Sequence, residues 1–417
     1  MPRPVRGFAA VLRPSPMMPL RCGVRSAGAG GDAGRADSAQ SARLPARGRA
    51  RATLQRLRRL LRQGGTGGGA ATLEARTPVV GYAKFAACAA GGAAAAMGLG
   101  ALGVAFYSLS SVHSDRRRGY ADEFVLTPED LNMPYEEVQF FTDDGVSLTG
   151  WFIPQTSGGK PSRRVIVCCH PHNSSKSNLL GVARGLWDRR YSVFMFDFRS
   201  FAHVRTRQSV GFYEQRDARA AVACARRTAP EGSDIGLIGA SMGGAVALIV
   251  GHEASVGAVG IATDCAFAGL SDVLEGRISG TLRLPQGAAA IVVSLAEVLN
   301  PLVYGYRLSE VSPAAAVASG GSERAGEVPL LLMHAADDDI VGVSQAHKIY
   351  SAASLEPERK ELVVMRHCHH VGCFFRDRPG YMRRLANFFD AAFEEAESRR
   401  CGLSEGFPVA CEAEEQK

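Results

Sequence analysis

The sequence predicts an α/β fold over residues 120–397: a doubly wound, mostly parallel sheet with a short helical cap insert. Two observations lead there. Apolar runs without strict polar alternation recur through this stretch, the pattern of strands covered on both faces. Amphipathic helical patterns separate these runs, so strand and helix alternate along the chain.

Taken in order, residues 138–142 and 147–153 flank Asp143-Asp144-Gly145, a turn signal, and predict a β-hairpin. Strands are then expected at 165–169, 192–197, 235–239, 256–261, 330–334 and 362–365. Helices are expected at 179–189, 213–227, 242–253, 344–353 and 381–396. Residues 268–326 break the rhythm. They hold a helix candidate at 291–299, then Asn300-Pro301 and Ser312-Pro313, and form an insert between two strands, where the family resemblance given below implies a cap.

The chain is 46% apolar and 21% charged, the balance of a protein with a real core. Its net charge of +7 is unevenly spread. Residues 1–73 hold 14 Arg, no Lys and two acids, which makes that segment +12 and the remainder −5. The basic balance therefore belongs to the N-terminus. No stacking aromatics accompany those arginines, so no nucleic acid is expected as a partner. The ten cysteines are scattered, and a chain of this length needs no disulfides to hold a core; they are expected as free thiols in a reducing compartment.

Residues 1–73, rich in Arg, Ala, Gly, Ser and Pro, predict a disordered targeting segment addressed to mitochondrion or plastid. Within it, residues 54–62 place leucines on one helical face and arginines on the other. Residues 79–114 form an Ala/Gly-rich hydrophobic segment, uncharged from 85 onward and long enough to cross a bilayer. Association with a membrane through this segment, possible as a single pass, is the expectation. Basic residues on both flanks leave its orientation open. Residues 398–417 read as an acidic tail.

Residues 235–239 run as a buried strand into Gly239-Ala240-Ser241-Met242-Gly243, a G-x-S-x-G turn, and then into a helix. A serine hydroxyl is a poor nucleophile and must project toward both a base and a substrate. A sharp strand-to-helix turn does this, and Gly239 and Gly243 lack the side chains that would clash there. The helix starting at Met242 aims backbone N–H groups at a developing oxyanion. A carboxylate is offered by Asp337, Asp338 or Asp339, on the loop after strand 330–334. An imidazole is offered by His367, His369 or His370, on the loop after strand 362–365, and can take the Ser241 proton near neutral pH.

With these motifs in place, residues 136–389 resemble the α/β-hydrolase superfamily. The resemblance is to membrane-anchored α/β-hydrolase domain proteins and to monoacylglycerol-lipase-like and prolyl-oligopeptidase-like serine hydrolases. It rests on the opening segment from Val138 to Pro154 and on Asp197-Phe198-Arg199-Ser200-Phe201, which stands where the family has D-x-R-G-x-G. It rests also on Gly211, Glu214 and Asp217 before the Ser241 strand, and on the loops just described. The resemblance implies Asp338 as the acid and His370 as the base, with His369 standing where the family has Gly. Where the family has His-Gly, this chain has His170-Pro171-His172. Pro171 has no N–H to donate, so the implied oxyanion donors are the backbone N–H groups of His172 and Met242, with His170 in support.

The activity implied is a serine hydrolase that cleaves carboxylic esters through an acyl-enzyme on Ser241, with lipid-like esters at a membrane as the substrate class. A peptidase or acyltransferase with the same residues, or a silent interaction scaffold, would keep the same pattern. No cofactor and no resident metal is implied. Cys168, Cys169, His170 and His172, with His367, Cys368, His369, His370 and Cys373, nonetheless offer soft ligands that could bind zinc at the sheet edge.

Overall fold

A computed structural model describes residues 98–107, 109–110, 126–201, 209–318 and 327–404. The targeting segment expected at 1–73, with the amphipathic helix expected at 54–62, lies outside the described residues, as do 79–97, 108 and 111–114 of the expected membrane segment and 405–417 of the expected acidic tail.

The chain builds the strands β1 (Glu136–Phe141), β2 (Ser147–Ile153), β3 (Thr156–Ser157), β4 (Lys160–Pro161), β5 (Arg164–Cys169), β6 (Ser192–Phe196), β7 (Asp234–Ala240), β8 (Ala258–Asp264), β9 (Leu330–Ala335) and β10 (Lys360–Met365). Eight of them form one sheet in the order β1-β2-β6-β5-β7-β8-β9-β10, and β3 pairs with β4 apart from it. The pairs β1–β2 and β2–β6 are antiparallel; every other pairing in the large sheet is parallel.

Helices α1 (Leu180–Trp187), α2 (Glu214–Thr228), α3 (Met242–Gly251), α4 (Leu270–Leu282), α5 (Gln286–Tyr304), α6 (Pro313–Val317), α7 (Ser344–Ala352), α8 (Cys373–Arg376) and α9 (Arg378–Ser404) complete the fold. Two hydrophobic cores explain why the strands read as unbroken apolar runs. Val165, Val167 and Cys169 of β5 join Ala221 of α2 and Val246 of α3 on one face. Ile166 and Cys168 join Leu186 of α1 and Phe389 of α9 on the other. Alternate side chains thus enter opposite cores, as the period-2 geometry of a strand requires.

The chain passes from β5 to β6 on one side and then returns to β7 on the other. The crevice beyond the carboxyl ends of β5 and β7 is therefore the topological switch point, where open α/β sheets place their ligands.

Three elements differ from expectation. Strand β8 extends to Asp264, beyond the apolar run that ended at Ile261, because Ala262, Thr263 and Asp264 pair with β7 and β9. Among its described residues the cap holds three helices, α4, α5 and α6, rather than one. Its second, α5, continues through Asn300-Pro301 to Tyr304 and stops at Gly305, whose φ of 83° ends the helix. A proline this near a helix end costs little further pairing. Ser312-Pro313 starts α6, with Ser312 Oγ accepting the Ala315 N–H at 3.3 Å as an N-cap. At the other end of the chain, α9 runs past 397, and Arg400 donates to Asp234 at 2.8 Å. The described cysteines are all free; Cys401 is exposed and the others are buried.

Candidate active site

Strand β7 ends at Ala240 and α3 begins at Met242, leaving Ser241 in the turn with φ 51° and ψ −118°. Positive φ is strained for a residue with a side chain. The turn is held by the Ser241 N–H, which donates to the Asp264 carbonyl at 2.8 Å. The flanking glycines are required by close packing of backbone. A Cβ on Gly239 would stand 2.2 Å from the Gly243 carbonyl oxygen, and one on Gly243 would stand 2.1 Å from the Cys169 carbonyl oxygen.

Ser241 Oγ lies 2.8 Å from His370 Nε2, and His370 Nδ1 lies 2.7 Å from Asp338 Oδ2. The other oxygen of Asp338 accepts the N–H groups of Ile340 and Val341 at 2.9 and 2.8 Å, which fixes the carboxylate in its loop. Asp337 has a different task. It accepts the His367 N–H at 2.9 Å and so ties the loop after β9 to the loop after β10. His369 Nδ1 stands 3.2 Å from the Asp337 carbonyl. The structure thus brings Ser241, His370 and Asp338 together and leaves His367, His369 and Asp337 beside them. Such a chain can draw the proton from the serine hydroxyl while the carboxylate orients and stabilises the imidazole.

His170 donates from Nδ1 to the Pro171 carbonyl at 2.7 Å and accepts the Phe198 N–H on Nε2 at 2.9 Å. One ring nitrogen donates and the other accepts, so the imidazole is neutral; burial lowers its pKa to the same effect. Its role is to hold the turn that carries His172. Lys176 secures the same loop by pairing with Asp197 and lying 4.5 Å from the Trp151 ring. Met242 is the first residue of α3, and the first N–H groups of a helix have no acceptor within it. The backbone at Cys169 and His170 abuts Gly243, so the His172 turn and the start of α3 share one edge of the sheet.

A sequence model of the alpha/beta hydrolase family matches residues 166–384, more than half of the chain. The chain belongs to this family. The hydrolase is 29% identical to the uncharacterized protein YqkD of Bacillus subtilis over 229 residues, 54% of this chain and 70% of that one. It is 27% identical to the uncharacterized protein YfhR of Escherichia coli over 279 residues, 66% of this chain and 86% of the relative. Among solved structures it resembles the Pyrococcus furiosus esterase Pf2001, with a TM-score of 0.51 and 24% identity, covering 64% of this chain and 94% of that one. At that identity the likeness is one of fold.

The electrostatics of the hydrolase favour a charged His370. Burial alone would lower its pKa, but hydrogen bonding to Asp338 and then to the Cys265 sulfur raises it to about 9. Burial would likewise raise Asp338, but His370 and the two backbone N–H groups hold it below the usual carboxylate range. A base works only when neutral, so kcat/KM should climb with pH along a limb lying above the ordinary imidazole value of about 6.5 and toward about 9. Asp338→Asn should move that limb down. A pH–rate profile whose limb stays put in the Asn variant would refute the coupling. Linkage has the matching sign: the charged ring adds stability that is full below about 6.5 and is lost as pH rises through about 9.

One residue not anticipated from the sequence, Cys265, sits beside His370 together with Cys373. Cys265 follows β8 with a φ of 56° and accepts the Val371 N–H on its sulfur at 3.3 Å. Hydrogen bonding from Cys373 holds the Cys265 thiol below the ordinary range, and the Cys373 thiol is pushed up in turn. Cys168 and Cys169 are not part of this group: among the described residues, the donor atoms that approach within 4.8 Å of one another here belong to Asp264, Cys265 and Cys373 and to Cys265, Asp338 and His370. The available signal was positional: a residue ending a central parallel strand stands at the carboxyl edge. With β8 ended at Ile261, Cys265 was not placed there.

Proposed function

We propose that this hydrolase is a serine esterase that cleaves carboxylic esters through an acyl-enzyme on Ser241. The observation that carries the reading is the continuous chain Ser241 Oγ–His370 Nε2, 2.8 Å, and His370 Nδ1–Asp338 Oδ2, 2.7 Å. Ser241 Oγ attacks the ester carbonyl carbon as its proton passes to His370 Nε2. The oxyanion is held by the N–H groups of His172 and Met242. His370 then returns the proton to the departing alcohol. Water, activated by the same imidazole, releases the acid and restores Ser241.

Lipid-like esters at a membrane surface are the substrate class. The exposed apolar residues support this. The helix Gly98–Tyr107 buries Ala105, with Leu109 beyond it, in the hydrolase core and leaves Leu99, Phe106 and Tyr107 outward. In the cap, α5 buries Ala289, Val292, Val293 and Ala296 and exposes Ile291, Val298 and Leu302. By length and composition α5 could cross a membrane. One side of it packs into the core, so its outer side is what it offers to lipid. Association through residues 79–114 would bring the exposed side of α5 to the same surface. The arginine-rich segment 1–73 would supply an organelle address.

A series of p-nitrophenyl esters of rising acyl length, run beside peptide amides and with and without anionic vesicles, tests the reading. Ester turnover should exceed amide turnover by at least about 100-fold, with the longer chains favoured when vesicles are present. Faster amide cleavage would make the protein a peptidase. Acyl transfer to an added alcohol in preference to water would make it an acyltransferase.

A further inference from the structure

Behind the His370 ring lies a second constellation that the ester chemistry does not use. One carboxylate oxygen of Asp264 and the sulfurs of Cys265 and Cys373 all lie within 4.8 Å of one another. Cys265 Sγ, a ring nitrogen of His370 and a carboxylate oxygen of Asp338 form a second group within the same limit. The two groups share Cys265, so its sulfur lies within 4.8 Å of donors in both, Asp264 and Cys373 in one and His370 and Asp338 in the other. Asp264 Oδ1 is buried and has no hydrogen-bond partner, which is costly for a carboxyl group in the interior unless something binds there. The side chain is only 3% exposed, and both thiols are 0% exposed. The Val371 N–H already points at Cys265 Sγ, the kind of donor that supports a metal-bound sulfur.

We infer that Asp264, Cys265, Cys373 and His370 form a binding site for a soft divalent cation, zinc foremost, and that its occupancy switches off the hydrolase. The donor set is one that zinc takes as a closed tetrahedral site. Bonds of about 2.3 Å to sulfur hold neighbouring donors roughly 3.8 Å apart, so each group must draw in by up to about 1 Å, and His370 must turn toward Asp264 and Cys373. On binding, the protons that the two thiols and the Asp264 carboxyl carry pass to solvent; the two thiolates balance the charge of the cation, and the carboxylate leaves the site one unit negative.

His370 is the member of the set that faces the substrate crevice, and the metal reaches the thiols past it. Both of its ring nitrogens are engaged, one by Ser241 and one by Asp338. Turning either nitrogen to the metal breaks the chain through which the Ser241 proton moves. The site therefore acts on the base itself. The inhibitory consequence rests on the proposed esterase reading; the binding does not.

The full chain should bind one equivalent of zinc in competition with a chromogenic chelator. Cobalt in its place should show a thiolate-to-metal charge-transfer absorption. Cys265→Ser and Cys373→Ser should each weaken zinc at least about 10-fold, and zinc should inhibit ester turnover in proportion to occupancy, reversed by a chelator. Binding is measured in Ser241→Ala as well, where it should persist because Ser241 is not a ligand. Absence of the cobalt–thiolate band in the wild type, or zinc affinity unchanged in both serine variants, overturns the site. Tight binding in a protein whose ester turnover does not depend on Ser241 leaves the site standing and removes the esterase reading instead.

Discussion

Replacing Ser241 by alanine should lower kcat for ester turnover by about five to six orders of magnitude. Alanine keeps the Cβ and the strained turn at φ 51°, so the backbone geometry is undisturbed and only the hydroxyl is lost. Without it there is nothing for His370 to deprotonate and no acyl-enzyme. The residual rate would come from binding and from the N–H groups of His172 and Met242, worth about 10³–10⁴ over water. KM and the thermal midpoint should stay close to those of the wild type. A fluorophosphonate probe followed by mass spectrometry checks the assignment: the adduct should sit on Ser241 and vanish in the variant. Equal labelling of the two proteins would mean that another residue is the nucleophile.

The second large effect concerns stability. Arg199→Ala should cost about 3–5 kcal/mol, because it leaves the buried carboxylate of Asp217 without its cation. Arg199 is 2% exposed. Its Nη1 and Nη2 donate to Asp144 at 2.8 and 3.0 Å, and its Nε and Nη2 donate to Asp217 Oδ1 at 3.0 and 2.8 Å. One guanidinium therefore fastens the turn between β1 and β2 to helix α2, through the loop that follows β6.

The two acids respond differently. Arg199 hydrogen bonding holds Asp144 down to about 2, whereas burial raises Asp217 to about 7 in spite of the same cation. Asp144 thus adds stability above its ordinary carboxylate range, and that stability is lost as pH falls through about 2. Removing Arg199 leaves Asp217 desolvated and unpaired, and it must take up a proton to stay inside. Chemical denaturation of the variant should show the loss, and Arg199→Met with Asp217→Leu should recover part of it. A single Ala variant as stable as the wild type would show that the network contributes nothing net.

The same loops show how far local sequence reaches. Glu214 is legible as a helix-start residue. Its buried carboxylate accepts the N–H groups of Ser209 and Gly211, both at 2.9 Å, and closes the entry to α2. Such local bonds follow from spacing along the chain. The zinc-type cluster does not, because Asp264 and Cys373 are brought together only where the end of β8 meets the start of α8. Cap helix α4 was missed for another reason. Its sequence, Leu270–Leu282, mixes Gly276 and Gly280 with polar residues, and its helicity depends on burying Leu270, Leu274 and Ile278.

By itself the sequence determined the alternation of strand and helix, the glycines around Ser241, and a short list of acids and imidazoles on later loops. These are consequences of periodicity and of local backbone sterics, which act over a few residues. The family resemblance, rather than spacing, singled out Asp338 over Asp337 and His370 over His369; the tertiary structure sets those two side chains within hydrogen-bonding distance of each other, and it alone put Cys265 beside the ring. Adjacent residues on a tight loop point in different directions. Which one meets a partner more than 100 positions away is set by strand register and by the hydrogen bonds that pin each loop.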